Sequence, residues 1–399
     1  MDKWKTPLLD ELEEGDWPSF VTEIKRAAEK SEAAADLLRQ VERSYESNTG
    51  HWKRGGVVGV RGYGGGVVGR YSALPEEFPG VREFHSLRVN QPAGFYYTTK
   101  KLRELCDVWD QYGSRLLNLH GSTGDIILLG TTTENLQPCF DALSEVGFDL
   151  GGSGAAIRTL SCCAGESRCE HACIDTMDIT HDLTMHFQSE LHRPSFPYKF
   201  KIKSSGCPND CAAASARSDL AIIGLWRDSL EVDQEAVREY VEAGLNIFDL
   251  VIRRCPTWAL DWDAKARQLH VNSEDCVHCM SCINQMPKAL HVGKQRGAAL
   301  LIGGKAPVVK GAMIGWVLVP FMKLEPPYTA LKELIVTITD FWAEHGRSRE
   351  RVAELVERIG LSAFLEGIGI APCAQMVSEP RSNPYVFWNQ EELEKHGKN

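Results

Sequence analysis

The sequence predicts an α+β fold that carries a cysteine-rich insertion and has helical segments at both ends. Three observations predict it. Between residues 83 and 147, short strand-like runs such as HSLRV and DIILL are separated by segments of helical length and periodicity. From 246 to 304 the character changes, and Cys276, Cys279 and Cys282 recur at two-residue gaps. Residues 16–47 and 328–367 read as helix, with a break between 345 and 349.

The first helical arm, 16–47, has Pro18 near its first turn and apolar positions at Phe20, Ile24, Ala27, Leu37, Leu38 and Val41. It carries no chemistry and is expected to cap the body or wrap a partner. In the glycine-rich stretch that follows, Gly64, Gly66 and Gly69 satisfy GxGxxG, but no helix can follow, because Arg70 and Tyr71 lead into Ser-Ala-Leu-Pro and Phe-Pro-Gly. Two readings of these glycines stay open: close backbone approach to a flat cofactor, with Arg61 and Arg70 supplying charge, or a flexible hairpin. Strands are expected at 85–89, 94–97, 115–119 and 125–129. Helices are expected from a cap at Thr98 and Thr99 to 112, and over 133–147, with a loop at 151–154.

Beyond that loop come CAGESRC and, after a helical segment, PYKFKIKSSGCPNDC. Cys163 and Cys169 have five residues between them, and Cys207 and Cys211 have three. Four thiolates at two corners of a fold suit a cubane iron–sulfur cluster, and structural zinc is the competing reading. KFKIK reads as a strand that sets Lys199, Lys201 and Lys203 on one face, where three cations would hold an anion. His171, His181 and His186 lie on the helical segment between, where packed or solvated histidines outnumber ligands. A strand at LAIIGLW and a helix over 233–244 continue the body.

The insertion reads as half of a bacterial ferredoxin motif. Its fourth cysteine is replaced by Met286, although Pro287 remains, and Cys255-Pro256 supplies a Cys-Pro upstream. Cys255, Cys276, Cys279 and Cys282 therefore make a second four-cysteine set, again with zinc as the alternative. Strands return to the body after it, Pro326-Pro327 breaks the chain, and helices are expected over 328–345 and 349–367. Cys106, Cys139, Cys162 and Cys373 read as ordinary thiols. The expected divisions are 1–50, 51–160, 161–245, 246–304 and 305–399.

A net charge of -10 argues against a general binder of nucleic acid or anionic membrane, so the local basic clusters serve something small. The thirteen cysteines are bunched at short spacings rather than spread as a disulfide framework, as expected in a reducing compartment. No signal-peptide pattern opens the chain. The most apolar run, 312–321, is too short for a bilayer and contains Pro320, so no transmembrane segment and a cytoplasmic location are expected.

Taken together, IRTLSCCAGESRC, YKFKIKSSGCPNDC, HGSTGDIILLG and the CxxCxxC insertion closely resemble the alpha subunits of dissimilatory sulfite reductases, in the siroheme sulfite and nitrite reductase family. The resemblance runs nearly end to end. It implies a siroheme sulfite reductase-type α+β body with an inserted ferredoxin-like domain, holding siroheme and two 4Fe-4S clusters. The siroheme iron would share a sulfur with one cluster through Cys211, whose other ligands would be Cys163, Cys169 and Cys207.

By motif, the family's oxyanion-binding residues fall on Arg88, Arg158, Lys199 and Lys201, with Lys203 extending the face. Arg61 and Arg70 would pair with siroheme carboxylates. The implied activity is six-electron reduction of sulfite to sulfide, or its reverse in sulfur oxidisers. The implied partners are a homologous beta subunit in an α2β2 heterotetramer and a small sulfur-carrier protein with a cysteine-bearing C-terminal arm. Competing readings are an assimilatory sulfite or nitrite reductase, a non-catalytic relay subunit with an inactive siroheme pocket, and a soluble electron-transfer protein.

Overall fold

The structure, a computed structural model, describes residues 4–55, 58–90, 96–120, 124–306 and 313–377. The chain divides into two compact units, Met1–Leu160 with Thr184–Lys199, and Ser161–Leu183 with Phe200–Asn399.

The first unit opens with three helices, α1 (Pro7–Asp10), α2 (Phe20–Ala28) and α3 (Glu32–Ser47). The single helix expected over 16–47 is thus two. Ser31 is extended between them, and its hydroxyl accepts the Ala34 N–H, so a serine cap competes successfully with the alanine-rich helical pattern. Ser19 caps α2 in the same way, through the Val21 and Thr22 amides. Leu9, Val21, Ile24, Leu37 and Leu38 pack with Phe78, Val81 and Phe84, so the arm caps the body of its own unit.

A hairpin-like pair follows, β1 (Trp52–Arg54) against β3 (Arg70–Ser72), with β2 (Val67–Val68) between them in sequence. No helix follows the glycines, in line with rejection of the dinucleotide motif. The main sheet has the order β2, β4 (His85–Asn90), β6 (Asp125–Thr131) and β5 (Leu116–His120), with β7 (Asp149–Leu150) on β4. Helices α4 (Thr99–Tyr112), capped by the Thr98 hydroxyl, and α5 (Thr133–Glu145) cover one face. There Leu87, Val89, Ile126 and Leu128 meet Leu105, Trp109, Leu136 and Leu143. The expected strand at 94–97 begins outside the described residues, and Tyr96 and Tyr97 are irregular.

In the second unit the sheet order is β16 (Trp316–Met322), β15 (Arg296–Ile302), β10 (Leu220–Trp226), β9 (Ile202–Ser205) and β8 (Ser161–Cys162). β8, β9 and β10 run parallel, and the other pairs are antiparallel. β9 starts at Ile202, so of the three lysines only Lys203 lies in a strand, which corrects the expected three-lysine strand face.

β10 and β15 pair from Leu220↔Ile302 to Trp226↔Arg296, and residues 227–295 connect them. That connection holds β11 (Glu231–Val232) paired with β14 (Leu290–His291), α9 (Gln234–Glu242), a π-helical turn at Phe248–Ile252, the hairpin β12 (Leu260–Asp263) with β13 (Gln268–Val271), and α10 (Ser281–Gln285). Arg296–Ile302, expected at the end of the insertion, is a strand of the sheet.

The remaining helices are α6 (Thr176–His186), α7 (Gln188–His192), α8 (Ala214–Arg217), α11 (Thr329–His345), α12 (Val352–Ile359) and α13 (Leu361–Gly367). The helix expected over 349–367 is divided at Gly360, whose φ of 88° ends the helical path.

Candidate functional site

The first cysteine set is assembled by the ends of two parallel strands. Cys163 follows β8, and its N–H donates to Ser204 O at 3.0 Å. Cys207 follows β9, and the Gly206 N–H between strand and cysteine donates to Cys163 Sγ at 3.1 Å. A turn at Gly165–Ser167 carries the chain to Cys169, whose N–H returns to Gly165 O. Gly165 has φ 53°, and a Cβ there would lie 2.2 Å from Thr176 Oγ1, so glycine is required.

Asp210 knits the Cys207 to Cys211 loop together. Its carboxylate accepts from the Ser205 hydroxyl, the Ala214 and Ser215 N–H groups and the Ser215 hydroxyl. Burial pushes the Cys207 thiol above the usual cysteine range, the Asn209 N–H opposes this, and neighbouring Cys169, Cys211 and Cys163 raise it further. The Cys207 sulfur thus feels the other three of its set.

Cys162 turns elsewhere, with its sulfur 3.4 Å from Met177 Sδ. Cys173, which sequence reasoning passed over, is buried beside Cys207 and Cys169, and burial pushes its thiol up to about 12. Its only signal in the sequence is its nearness to Cys169.

The second set surrounds a single cavity. Cys255, Cys276, Cys279 and Cys282 line it with Trp226, Leu260 and His278. The left-handed residues His278 (φ 54°) and Met280 (φ 61°) turn the CxxCxxC loop, and Cys282 then opens the first turn of α10. Cys255 reaches the cavity from the π-helical turn and accepts the Ala259 N–H at 3.3 Å. Met286 is fully buried in the apolar core, which explains how the position of the missing ligand is used.

Burial pushes the Cys282 thiol up to about 12 and, more mildly, raises Cys276; a bound cluster would displace those protons. Asn209 and Asn284 exchange two amide hydrogen bonds, at 3.2 and 2.8 Å, and join the two cysteine loops directly. Among the described residues no three His, Cys, Asp or Glu side chains converge on one ion-sized point.

The first unit contains a cationic cavity of about 480 Å³, lined by Arg54, Arg70, Arg88, Arg158, His120 and Ser153 over a floor of sheet residues. Register explains the floor. Ser86 and Arg88 are two apart on β4 and pair with Leu129 and Ile127 of β6, on the face opposite the apolar core. The β1–β3 register sets Arg54 directly across from Arg70. Neither has an acidic group within salt-bridge distance among the described residues. Burial, then the charge of Arg54, hold the Arg70 guanidinium below its usual range.

Arg88 is braced by Gly152 O at 3.1 Å and by buried Asp125 at 3.4 Å, and Arg158 donates to Gly154 O at 3.0 Å. Arg61 does not line this cavity. It is exposed, and its N–H is held by Gln137. Arg54 and His120 do line it, and sequence reasoning missed both: Arg54 sits in no recognisable motif, and His120 opens HGSTGDIILLG but was given no role there.

The lysines are not equivalent. Lys199 places Nζ 4.9 Å over the Tyr198 ring. Lys201 is half-buried ahead of β9. Lys203 is 4 % exposed and donates to Ala212 O at 3.2 Å, beside Cys211. Burial, followed by Arg217, pulls its ammonium below the usual lysine range, against Asp210 and Cys162. His181 and His186 are exposed on α6.

Among the described residues no helix is long and apolar enough to cross a membrane. Residues 153–372 match the profile of the nitrite and sulphite reductase 4Fe-4S domain, and residues 79–146 match that of the nitrite/sulfite reductase ferredoxin-like half domain. The chain is 48 % identical over 422 residues to the dissimilatory-type sulfite reductase alpha subunit of Nitratidesulfovibrio vulgaris, covering 98 % of this chain and 96 % of that one. It is 49 % identical to the alpha subunit of Allochromatium vinosum, over 97 % and 94 % of the two chains. It is also 28 % identical to the beta subunit of Archaeoglobus fulgidus, over 72 % and 79 %. The crystal structure of dissimilatory sulfite reductase I superposes with a TM-score of 0.89 at 47 % identity, covering 97 % of this chain and 95 % of that one.

Proposed function

The chain belongs to the alpha-subunit family of dissimilatory-type sulfite reductases, and from that premise we propose that it binds sulfite at a siroheme coupled to a 4Fe-4S cluster and reduces it to sulfide. The observation that carries this reading is the gathering of Arg54, Arg70, Arg88 and Arg158 around one cavity. Such a concentration of cations is costly without a polyanionic occupant, and a tetrapyrrole with many carboxylates together with an anionic substrate answers that charge.

The donor sets fit the groups. Cys163, Cys169, Cys207 and Cys211 would hold one cluster, with Cys211 shared with siroheme. Cys255, Cys276, Cys279 and Cys282 would hold a second, which would supply electron transfer. When bound, these groups supply the redox chemistry of a six-electron reduction that also releases three oxygens as water.

The side chains do the rest. Arg54 and Arg70 pair with siroheme carboxylates; Arg61, the other arginine expected to do so, is exposed and lies outside the cavity. Arg88 and Arg158 present forked donors that orient the sulfite oxygens. Lys199, Lys201 and Lys203 add positive charge. Burial and Arg217 hold the Lys203 ammonium below the usual lysine range, which favours its giving up a proton where an S–O bond breaks.

A homologous beta subunit exists in the family. We place this chain with one in an α2β2 assembly in the cytoplasm, serving a small sulfur-carrier protein with a cysteine-bearing arm.

The test is anaerobic expression with and without the beta partner, followed by siroheme, iron and acid-labile sulfide per chain, and then sulfite turnover. Siroheme with iron equivalent to two cubanes supports the reading. Zinc, or iron without tetrapyrrole even with the partner present, overturns it.

A further inference from the structure

We propose that Asp219 and Arg351 form a buried positioning pair that fixes the main chain of Lys201 and so aims its ammonium group at the bound oxyanion. The inference rests on the assignment of Lys201 to sulfite made above. Asp219 holds both polar groups of the Lys201 backbone: its Oδ2 accepts the Lys201 N–H at 2.8 Å, and its own N–H donates to Lys201 O at 2.9 Å. Lys201 precedes β9, so the strand ladder that begins at Ile202 does not fix that N–H. A side chain does so instead.

The carboxylate is oriented in turn by Arg351, which donates from Nε to Oδ1 at 2.9 Å and from Nη2 to Oδ2 at 2.8 Å. The two side chains are 5 % and 0 % exposed. A bidentate fork sets the plane of the carboxylate, which a single ammonium would not do. Arg351 is itself anchored, because its N–H donates to Glu354, whose other oxygen accepts from Lys305, a lysine only 1 % exposed. On the other side of the lysine, Phe200 packs on Trp342 of α11, with ring centroids 5.8 Å apart. Helices α11 and α12, more than a hundred residues along the chain, thus hold the segment on which Lys201 sits.

A buried ion pair is weak evidence for stability, since apolar residues of similar volume pack as well. What the charged pair adds is direction, an oxygen held against one particular peptide N–H. The pair is therefore expected to act on sulfite through Lys201 rather than on folding.

The test uses the anaerobically prepared holoenzyme with its beta partner and the variants Arg351→Lys, Lys201→Ala and both together. Arg351→Lys should keep siroheme and iron content, speed hydrogen exchange of the peptide covering 199–204, and lower kcat/KM for sulfite about tenfold, the scale of a small misplacement of a binding group. In the Lys201→Ala background the same substitution should add nothing. Should Arg351→Lys not fold, the apolar pair Asp219→Leu with Arg351→Met takes its place in the same cycle.

Additive effects of the two substitutions, or unchanged exchange over 199–204, overturn the proposal. Wild-type kcat/KM in Lys201→Ala overturns it through its premise, and that failure is told apart because exchange at 199–204 still rises in Arg351→Lys.

Discussion

Replacing Arg70 by Gln should stabilise the cofactor-free chain and weaken its hold on the tetrapyrrole, two effects of opposite sign. Arg70 faces Arg54 across an antiparallel pair, is half-buried, and has no acidic group in salt-bridge range among the described residues. Like charges directly opposite in a sheet cost about 0.2–1 kcal/mol. Gln keeps the first methylenes of the stem and removes the charge, so a gain of about 0.5 kcal/mol is expected, or roughly 1–2 °C in melting temperature for a unit of this size.

The bound state loses a charge-assisted hydrogen bond worth about 1.5–3 kcal/mol, which corresponds to roughly 10- to 100-fold weaker retention of siroheme. Thermal unfolding of the cofactor-free protein gives the first number, and siroheme per chain after extended dialysis gives the second. A lower melting temperature with unchanged siroheme retention would refute the reasoning and make Arg70 a packing residue.

Lys201→Ala should lower sulfite turnover with siroheme and iron content intact; wild-type turnover would remove the lysine from the site. Cys282→Ser should cost the iron of one cubane while siroheme remains, since Cys282 lines only the second cysteine cavity, and iron analysis beside the siroheme spectrum checks it. The first unit should lose stability as pH falls below about 6.5. Burial holds buried His85 below the usual histidine range, opposed by Glu83, so protons bind preferentially to the unfolded chain and the stability present at neutral pH is lost on acidification. Denaturant unfolding of His85→Gln should show a shallower decline between pH 7 and 5, and an identical slope would contradict this.

Much of the architecture was legible because its signals are local. Thr98 and Asp233 announce helix starts through oxygens that accept amides two or three residues on, and the structure uses both. Ser31 carried the same signal, but an alanine-rich period on both sides outweighed it in the reading. The lysine run misled for the opposite reason. Alternation in KFKIK is real, with Phe200 and Ile202 buried, yet a strand requires a neighbour, and only from Ile202 does β10 provide one.

By itself, the sequence determined which residues could do chemistry. Cysteine spacing is a property of the chain, and a loop of two, three or five residues can close on a cluster wherever it is placed. The tertiary structure alone decided which charges share a space. Arg54 meets Arg70 through strand register, Arg88 and Arg158 join them around one cavity, and Arg61 is left outside. Asp219 finds Arg351 132 residues away only because a C-terminal helix returns to the sheet. Such pairings depend on register and on packing between distant segments, and no local pattern of residues encodes either.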